Sequence, residues 1–496
     1  MAAHSEVTFY IGKYTQINAL LKGDIYLQVS TSAHGIDMKA YSAPGKALIA
    51  GGYLVLDASY NAYVTALSTR MHAVVGPSSD SEISYVKVTS PQFCGEWEYR
   101  FENSQYIGGV VEVAGRINPF LEATVATVLS YIEPKSRFAV DITIYSDPGY
   151  HAQADTEVKT SENGTKHFLF HNKPINEVAK TGLGSSAGLV SVVTGAMLSY
   201  FGVDVENSKS IVHNVAQVAH CYAQKKTGSG FDVAAAVFGS IVYRRFQPSV
   251  VDTLFQHQVF VKPSQDLQHD YHQELVKTID QEWEFTHNPC TLPPHIRLLM
   301  GDIKGGSETP KLVAKVLKWK LENPVQSEEL YKNLNQANED LMSSLTNLHL
   351  VYKNNQEQYL QGIDYFASRP LCSIESYLSI QPKLEIQLAP FLDLVNALKS
   401  IRSNLRKLSR FTGEDIEPKS QTLILNNCSS LKGCFGGVVP GAGGYDAISL
   451  LVVDTAIEPL LNDTVSDKRF SNVSWLHLHE QENGIILENP EDYIGL

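Results

Sequence analysis

Short runs in which apolar and polar residues alternate occupy the first third of the chain and predict β-strands. The clearest of these runs begin at Arg70, Ser84, Glu96 and Arg137. Between the last two, residues 118–132 place their apolar side chains at helical spacing, so a helix is inserted among the strands. Residues 151–180 are mostly polar and are predicted to be loop.

The middle of the chain reads as helices on either side of glycine-rich loops. A glycine- and serine-rich run opens the segment Lys180–Leu198, whose apolar remainder predicts a buried helix. A second, amphipathic helix is predicted at Ser208–Lys226, and Thr227–Phe246 reads as a loop, a short helix and a strand. Around 250–290 the composition turns polar, which indicates a boundary between two domains.

The second half of the chain begins with a strand, a glycine-rich turn and a helix from His295 onward. Long helices are predicted at 327–355 and 390–412, and Pro390 suits the first turn of the second one because its missing N–H costs nothing there. A glycine-rich loop then precedes a strand at Ala447–Val453, and a last strand follows at 473–479. The pattern as a whole predicts an α+β fold.

Composition narrows the class of protein. A chain of 496 residues favours two domains. The formal net charge of −13 argues against sequence-independent nucleic-acid binding, although an anionic small substrate needs only a few local cations. The six cysteines form no CxxC pair, which favours reduced thiols in a cytoplasmic protein over disulfides or zinc. The longest apolar run, 188–203, is shorter than a bilayer span. We therefore expect no nucleic acid, no membrane and no obligate protein partner.

The glycine-rich loop carries the candidate chemistry. Its residues Gly182–Ala187 fit the GxGxxA dinucleotide fingerprint, and Asp204 lies where the acidic ribose ligand would be. However, the segment before the loop is polar and contains a proline, and the order of elements is not βαβ. The loop instead has the parts of a triphosphate cradle. These are glycines, the N-terminus of the helix that follows, two serine hydroxyls and Lys180. The alternative is a turn that only caps a buried helix.

This loop resembles one of three motifs of the GHMP kinases, and the other two are similar to APGKALIAGGYLVLD at 43–57 and VVPGAGGYDA at 438–447. The segments KTGSGFDVAAAVFGSIVYRRF at 226–246 and GDIKGGSETP at 301–310 narrow the resemblance to fungal-type phosphomevalonate kinases. It covers the chain from Lys39 to the C-terminus.

The resemblance implies a two-domain GHMP kinase architecture with the active site between the domains. It divides the chain into an extension of unknown role at 1–38, an N-terminal ATP-binding domain at 39–262, a linker at 263–289 and a C-terminal domain at 290–496. The implied reaction is direct, in-line transfer from ATP to (R)-5-phosphomevalonate, which yields (R)-5-diphosphomevalonate for isoprenoid and sterol synthesis. The alternatives are another GHMP small-molecule kinase, such as mevalonate kinase, or a galactokinase-like ligand sensor without turnover.

Two residues acquire catalytic roles by this resemblance. Asp232 matches the catalytic aspartate, which orients the acceptor phosphate and can take its proton; without the resemblance, it reads as a helix N-cap. Lys46 matches the lysine that neutralises the acceptor phosphate or the developing charge, whereas alone it reads as a solvated lysine after a turn.

The nucleotide and its metal are assigned in the same way. Ser186 matches a serine that binds Mg²⁺. In mevalonate kinases a glutamate about eleven residues before the aspartate adds a second ligand, but here Cys221 stands at that position with His220 beside it. Neither is a natural Mg²⁺ ligand, which favours the phosphomevalonate branch and leaves the metal to Ser186, phosphates and water. The residues expected to bind ATP are Lys180, Thr181, Gly182, Leu183, Gly184, Ser185, Ser186 and Ala187.

The resemblance also assigns residues to the acceptor. These are Lys304, Ser307, Thr309, Gly443 and Gly444. Thr309 can equally be the N-cap of a helix with Pro310 in its first turn, and the loop Gly441–Asp446 can be a bulge that leads into a strand. Arg244 and Arg245 read either as substrate cations or as a surface pair.

Overall fold

The computed structural model describes residues 37–78, 83–101, 111–113, 115–151, 153, 155–171, 173–255, 265–303, 309–378 and 381–496. Its largest element is a ten-stranded sheet. The strands of this sheet up to residue 289 are β1 Lys39–Ala50, β2 Ala62–Pro77, β3 Ser84–Ser90, β4 Gly95–Phe101, β5 Val111–Glu112, β6 Ala139–Ser146, β9 Ile241–Arg244 and β10 Thr286–Pro289. A separate hairpin pairs β7 Thr156–Thr160 with β8 His167–His171.

The long strand β2 organises the first sheet. It pairs antiparallel with β1 along almost its whole length, with β9 at its start and with β6 at its end. The remaining order runs from β6 through β3 and β4 to β5, and β3 lies parallel to β6. A bulge in β1 between Pro44 and Gly45 shifts the register on β2. Bulges re-aim the side chains that follow them, and the residue after this one is Lys46.

Helices cover one face of this sheet. They are α1 Pro119–Ile132, α2 Ser185–Tyr200, α3 Lys209–Gln224, α4 Phe231–Phe238, α5 Ser249–Phe255 and α6 Gln265–Asp280. α2 is buried almost throughout and packs on β1 and β2, while α1 and α3 pack beside it. Apolar side chains of α2, α3 and the sheet share one core, which fixes the start of α2 against β1.

The second half forms a smaller sheet backed by long helices. The sheet runs in the order β12 Cys434–Val438, β13 Ala447–Val453, β11 Ile296–Ile303, β14 Val473–Leu476. The helices are α7 Thr309–Glu322, α8 Pro324–Asn354, α9 Gln356–Ser368, α10 Leu371–Leu378, α11 Pro382–Thr412, α12 Lys419–Asn427 and α13 Ile457–Val465. Over the described residues, no helix combines the length and the apolar character that a membrane crossing requires.

Two local predictions are wrong. Residues 151–180, predicted to be loop, contain the hairpin β7–β8. Pro390 was expected in the first turn of its helix, but it lies inside α11, and Pro382 occupies the first turn instead. The packing of α11 along α8 carries the helix through the proline, although the proline removes one backbone hydrogen bond.

The segment 263–289, predicted to be a linker, belongs with the first sheet. Within it, α6 packs against α1 and α3, and β10 pairs with β9. The C-terminal segment also joins the first sheet. In it, β15 Glu480–Gln481 pairs with β2, and β16 Ile486–Glu488 pairs with β1. The buried guanidinium of Arg70 donates to the Gly484 carbonyl at 2.6 Å and so ties this segment to the sheet.

Candidate active site

The glycine-rich loop ends in the N-terminus of α2 and is held by backbone contacts. Gly184 is the N-cap with φ of 86°, and no side chain caps the helix. The first helical bond joins Gly188 N to Gly184 O at 3.0 Å, so the amides of residues 185–187 precede the helical ladder. Such amides, together with the helix dipole, favour an anion. The predicted cradle requires this geometry, but a turn that only caps a buried helix would begin α2 in the same way, so the cradle stays a prediction.

Side chains of the loop divide into anchors and exposed groups. Thr181 donates from Oγ1 to the Gly149 carbonyl at 2.6 Å, which fastens the loop to the first domain. Leu183 and Ala187 point into the apolar core, so only their backbone faces the loop. Gly182 and Lys180 are exposed, and Ser185 and Ser186 are half-buried.

Lys46 lies directly against this loop. Its backbone N–H donates to the Leu183 carbonyl at 3.0 Å, and its Nζ donates to the Gly182 carbonyl at 3.0 Å. A β-carbon added at Gly184 would stand 3.1 Å from Lys46 Cε, so the glycine leaves room for the lysine stem. Burial lowers the pKa of the Lys46 ammonium, and the charge of Asp232 acts in the opposite direction. Lys46 is half-buried, and its ammonium is held against the loop rather than left wholly to solvent.

Asp232 lies in the first turn of α4, near enough for its charge to act on the Lys46 ammonium. Gly230 is the N-cap of α4, so the alternative that Asp232 caps the helix is wrong. The Asp232 Oδ1 accepts a hydrogen bond from the Val233 amide at 3.0 Å. Its side chain keeps 22% of its surface exposed, so part of the carboxylate can reach a ligand.

A histidine that the motifs did not assign lies between the loop and this aspartate. His220 Nε2 is 3.1 Å from Ser186 Oγ and 3.9 Å from Asp232 Oδ2. Burial lowers the pKa of the imidazole. The neighbouring Cys221, which stands at the position of the missing glutamate, instead accepts from Gln217 Nε2 at 3.3 Å, and burial raises the pKa of its thiol to about 11.

The two arginines after α4 have different environments. Arg244 is exposed, as a surface residue would be. Arg245 is buried, and its guanidinium donates to the carbonyls of Leu56 at 2.6 Å and Gly228 at 2.7 Å. Arg245 thus joins the end of the first motif to the loop before Asp232. Neither alternative from the sequence, a substrate cation or a surface pair, describes it.

The third glycine-rich motif closes onto the first. Tyr53 Oη donates to the Ala442 carbonyl at 2.6 Å, and a β-carbon at Gly52 would stand 2.7 Å from the Gly441 carbonyl oxygen. Gly443 has φ of 79°, and a side chain there would collide with the Ile416 carbonyl. The amide of Gly443 donates to Pro440 O and that of Gly444 to Ile416 O. Both amides are therefore used within the second domain.

These motifs enclose a cleft between the two sheets. The cleft has a cavity volume of about 240 Å³, and Lys46, Gly182 and Gly443 all line it. Its other walls come from the loop before Asp232 through Ser229 and Phe231, and from the second domain through Met300 and Asp446. The structure therefore brings the three motifs together at one place, as the sequence predicted.

A larger cavity of about 680 Å³ lies on the other side of the glycine-rich loop. Lys180, Ser185 and Ser186 form its rim toward the loop, and its walls are mostly apolar and aromatic. Two buried side chains line this cavity with a ring nitrogen that has no hydrogen-bond partner in the protein. These atoms are Nε1 of Trp97 and Nε2 of His151. Buried polar groups are normally paired, so these atoms are available to a polar molecule that enters the cavity.

Three expected acceptor residues fall at the edge of the described chain. Lys304 and Ser307 lie outside the described residues. Thr309 is the first residue of α7, as expected for a helix start, but its side chain is also outside the described part. Their expected role in binding the acceptor stays a prediction.

The side chains of the site suit a metal ion that is bound mainly by the phosphates of the nucleotide. Among the described residues, no three His, Cys, Asp or Glu side chains are grouped so that they could hold a metal ion. Mg²⁺ needs no such group, because it keeps water and substrate phosphates as most of its ligands. The Ser186 hydroxyl, at a helix N-terminus that favours phosphate, fits as a single protein ligand.

Comparisons with known proteins agree with this geometry. The family model for the GHMP kinases N terminal domain matches residues 157–240. A phosphomevalonate kinase of Candida albicans is 51% identical over 462 residues, which cover 92% of this chain and 100% of the relative. One from Gibberella zeae is 32% identical over 488 residues, covering 92% of this chain and 98% of the relative.

Solved structures resemble the fold as well. The phosphomevalonate kinase of Streptococcus pneumoniae, solved with phosphomevalonate and AMPPNP, superposes with a TM-score of 0.55 at 15% identity. The match covers 89% of this chain and 99% of that one. At this identity the likeness concerns the fold alone, and it confirms the predicted α+β architecture.

Proposed function

Since the chain belongs to the phosphomevalonate kinase family of the GHMP kinases, it phosphorylates (R)-5-phosphomevalonate with ATP in the mevalonate route, and we propose that the glycine-rich loop is where the two substrates meet. The γ-phosphoryl group passes directly to an oxygen of the acceptor phosphate, leaving ADP and (R)-5-diphosphomevalonate. The acceptor occupies the cleft between the sheets, and the nucleotide occupies the larger cavity.

One observation carries this proposal, namely that the loop lines both cavities. Thr181, Gly182 and Leu183 face the cleft, whereas Lys180, Ser185 and Ser186 face the larger cavity. A triphosphate that lies over the loop therefore has its base on one side and its terminal phosphate on the other. Phosphoryl transfer depends mainly on such positioning and on neutralised charge.

The larger cavity has the character that a purine base needs. Phe93, Trp97 and Phe120 give it aromatic walls, and Trp97 Nε1 and His151 Nε2 are free to bond with ring nitrogens or exocyclic groups. We assign it to the adenosine part of ATP.

Replacing Trp97 by phenylalanine tests this assignment, because it keeps an aromatic wall and removes the N–H. The loss of one ligand hydrogen bond, about 0.5–1.5 kcal/mol, corresponds to a KM for ATP raised about 2- to 12-fold. The KM for phosphomevalonate should stay unchanged. Steady-state kinetics measure both constants, and quenching of tryptophan fluorescence by ADP should be lost in the same variant.

The matched control is Trp475→Phe. Trp475 lies on β14 and donates from Nε1 to Thr464 Oγ1 at 2.9 Å, outside both cavities. It should leave both KM values as they are. A Trp97→Phe enzyme with an unchanged KM for ATP and normal quenching would move the base out of this cavity.

Lys46 lines the cleft, and Asp232 directly follows the lining residue Phe231 in another element. We propose that the Lys46 ammonium neutralises charge on the acceptor phosphate and on the group in transfer. Asp232 orients the acceptor. Since that phosphate is already ionised at neutral pH, holding its position matters more than removing a proton. Gly443 lines the opposite wall, and the amides of Gly443 and Gly444 are bonded within the second domain.

We propose that Ser186 binds the Mg²⁺ of Mg·ATP through its hydroxyl. When bound, Mg²⁺ neutralises phosphate charge and holds the β- and γ-phosphates in one arrangement. Lys180 adds a cation at the exposed rim of the loop, and the amides of residues 185–187 supply donors to phosphate oxygens. Lys304, Ser307 and Thr309 remain proposed ligands of phosphomevalonate. Cytoplasmic location and the lack of nucleic-acid, membrane or obligate protein partners stay predictions.

Ser186→Ala should raise the Mg²⁺ concentration needed for half-maximal activity about 10-fold or more, as loss of a metal contact does. A Mg²⁺ titration at fixed ATP measures this. Ser191→Ala, further along α2, is the control, since the buried Ser191 hydroxyl has no partner in the protein. Identical titration curves for Ser186→Ala and the parent enzyme would rule out direct binding.

A further inference from the structure

A single imidazole connects the two helix N-termini that carry the proposed chemistry. His220 lies in the last turns of α3, and only 3% of its surface is exposed. Its Nε2 is within hydrogen-bonding distance of Ser186 Oγ, at the start of α2, and 3.9 Å from Asp232 Oδ2, at the start of α4. Three separate elements thus converge on one ring nitrogen.

The surroundings of the ring favour one direction for its hydrogen bond. The side-chain nitrogen of Gln224, one turn further along α3, lies 3.3 Å from the same Nε2. Both neighbours can donate, so we take Nε2 as the unprotonated ring nitrogen, whose lone pair accepts from the Ser186 hydroxyl at 3.1 Å. The longer Gln224 contact shares the same lone pair. The ring of Phe120, whose centroid is 5.5 Å away, packs against the imidazole and holds it in place.

A serine hydroxyl has one proton and two lone pairs. If its proton is directed to an acceptor, both lone pairs remain for other partners. A hydroxyl without such an acceptor rotates freely, and its proton competes for the position that a cation needs.

We propose that His220 is a positioning residue, which accepts the Ser186 proton and thereby presents the serine oxygen to phosphate-bound Mg²⁺. This inference rests on the proposed role of Ser186. His220 touches neither the substrates nor the metal. It acts through Ser186, as outer partners of metal ligands do.

Two substitutions at His220 test separately whether its hydrogen-bond acceptor or its aromatic ring is needed. His220→Phe keeps an aromatic ring against Phe120 but has no acceptor. His220→Gln loses the ring, yet its amide oxygen reaches about as far along the side chain as Nε2. We expect the Phe variant to need about 10-fold more Mg²⁺ for half-maximal activity and the Gln variant to stay within about threefold of the parent.

Calorimetric binding of ADP, with and without Mg²⁺, gives a readout that does not depend on turnover. The gain in ADP affinity caused by Mg²⁺ should shrink in His220→Phe and be largely kept in His220→Gln. Affinity for ADP without Mg²⁺ should be the same in all three proteins, and a structural lesion would lower it. Thermal unfolding checks that both variants are folded.

A double variant decides whether His220 acts through the serine. If it does, Ser186→Ala/His220→Phe should have the Mg²⁺ dependence of Ser186→Ala alone, because coupled residues are not additive. Additive effects, or a Phe variant with the parent Mg²⁺ dependence, would overturn the proposal for His220 and leave Ser186 in place. Normal Mg²⁺ dependence in Ser186→Ala alone would remove the role of Ser186 and, with it, this inference.

Discussion

Asp232→Asn is expected to lower kcat about 100- to 1,000-fold and to leave the KM for ATP nearly unchanged. The loss has this size because positioned carboxylates in proton-transfer or orienting roles contribute about 10²–10⁴-fold. We expect the nucleotide to be spared because Asp232 does not line its proposed cavity, whereas Ser229 and Phe231, which lie next to Asp232 in the chain, line the cleft assigned to the acceptor. Steady-state kinetics with Mg·ATP and phosphomevalonate measure both constants.

The substitution should change the charge without changing the helix. An asparagine oxygen can still accept the bond from the Val233 amide, which the Asp232 Oδ1 now holds at 3.0 Å. Loss of an acidic group from a first turn costs at most about 1 kcal/mol of stability. Glu458→Gln is the matched control, because Glu458 stands in the first turn of α13 in the second domain. It should keep full activity.

A second consequence concerns the pH dependence. The negative charge of Asp232 raises the pKa of the Lys46 ammonium against the effect of burial. Removal of this charge should lower the pKa of Lys46 further. When the pH is raised, activity should therefore begin to fall at a lower pH in the variant than in the parent enzyme. An asparagine variant with parent kcat and an unmoved alkaline limb would show that Asp232 serves only the helix.

Strong periodicity made much of the first domain predictable. The strands β3, β4 and β6 and the helices α1 to α3 have clear apolar patterns, and the structure contains all of them. The hairpin β7–β8 was missed because β7 is exposed along nearly its whole length, so no face of it alternates. The supposed linker carried a usable signal, since Tyr271, Leu275 and Ile279 recur at helical spacing and are all buried.

Some residues of the site could be predicted from short local motifs, whereas others reach the site only through tertiary packing. Lys46, Gly182 and Asp232 belong to short motifs, so the sequence identified them, and the structure gathers their segments at one cleft. His220 and Arg245 could not be found in that way. Their partners, Ser186 and Leu56, are 34 and 189 positions away in the chain, and only the packing of α3 and β9 brings them together.

Lys46→Met should cost about 3–4 kcal/mol of transition-state stabilisation, the scale for losing one preorganised donor to developing negative charge. That corresponds to a fall in kcat/KM of about 100- to 1,000-fold. The methionine keeps the apolar stem beside Gly184 and removes the charged ammonium with its hydrogen bond. The exposed Gly182 carbonyl that loses its donor can bond to water, and the backbone bond from residue 46 to Leu183 is kept. We therefore expect a folded protein with a damaged site.

Lys46→Arg distinguishes charge from geometry. The guanidinium stays protonated at any accessible pH, but it is bulkier than the ammonium. In the parent, burial lowers the pKa of Lys46, so kcat/KM should fall on the alkaline side as the ammonium loses its proton. The arginine variant should be slower at neutral pH and should lack this alkaline limb. If the limb persists in Lys46→Arg, or if Lys46→Met retains the parent kcat/KM, another group supplies the positive charge and Lys46 only supports the loop.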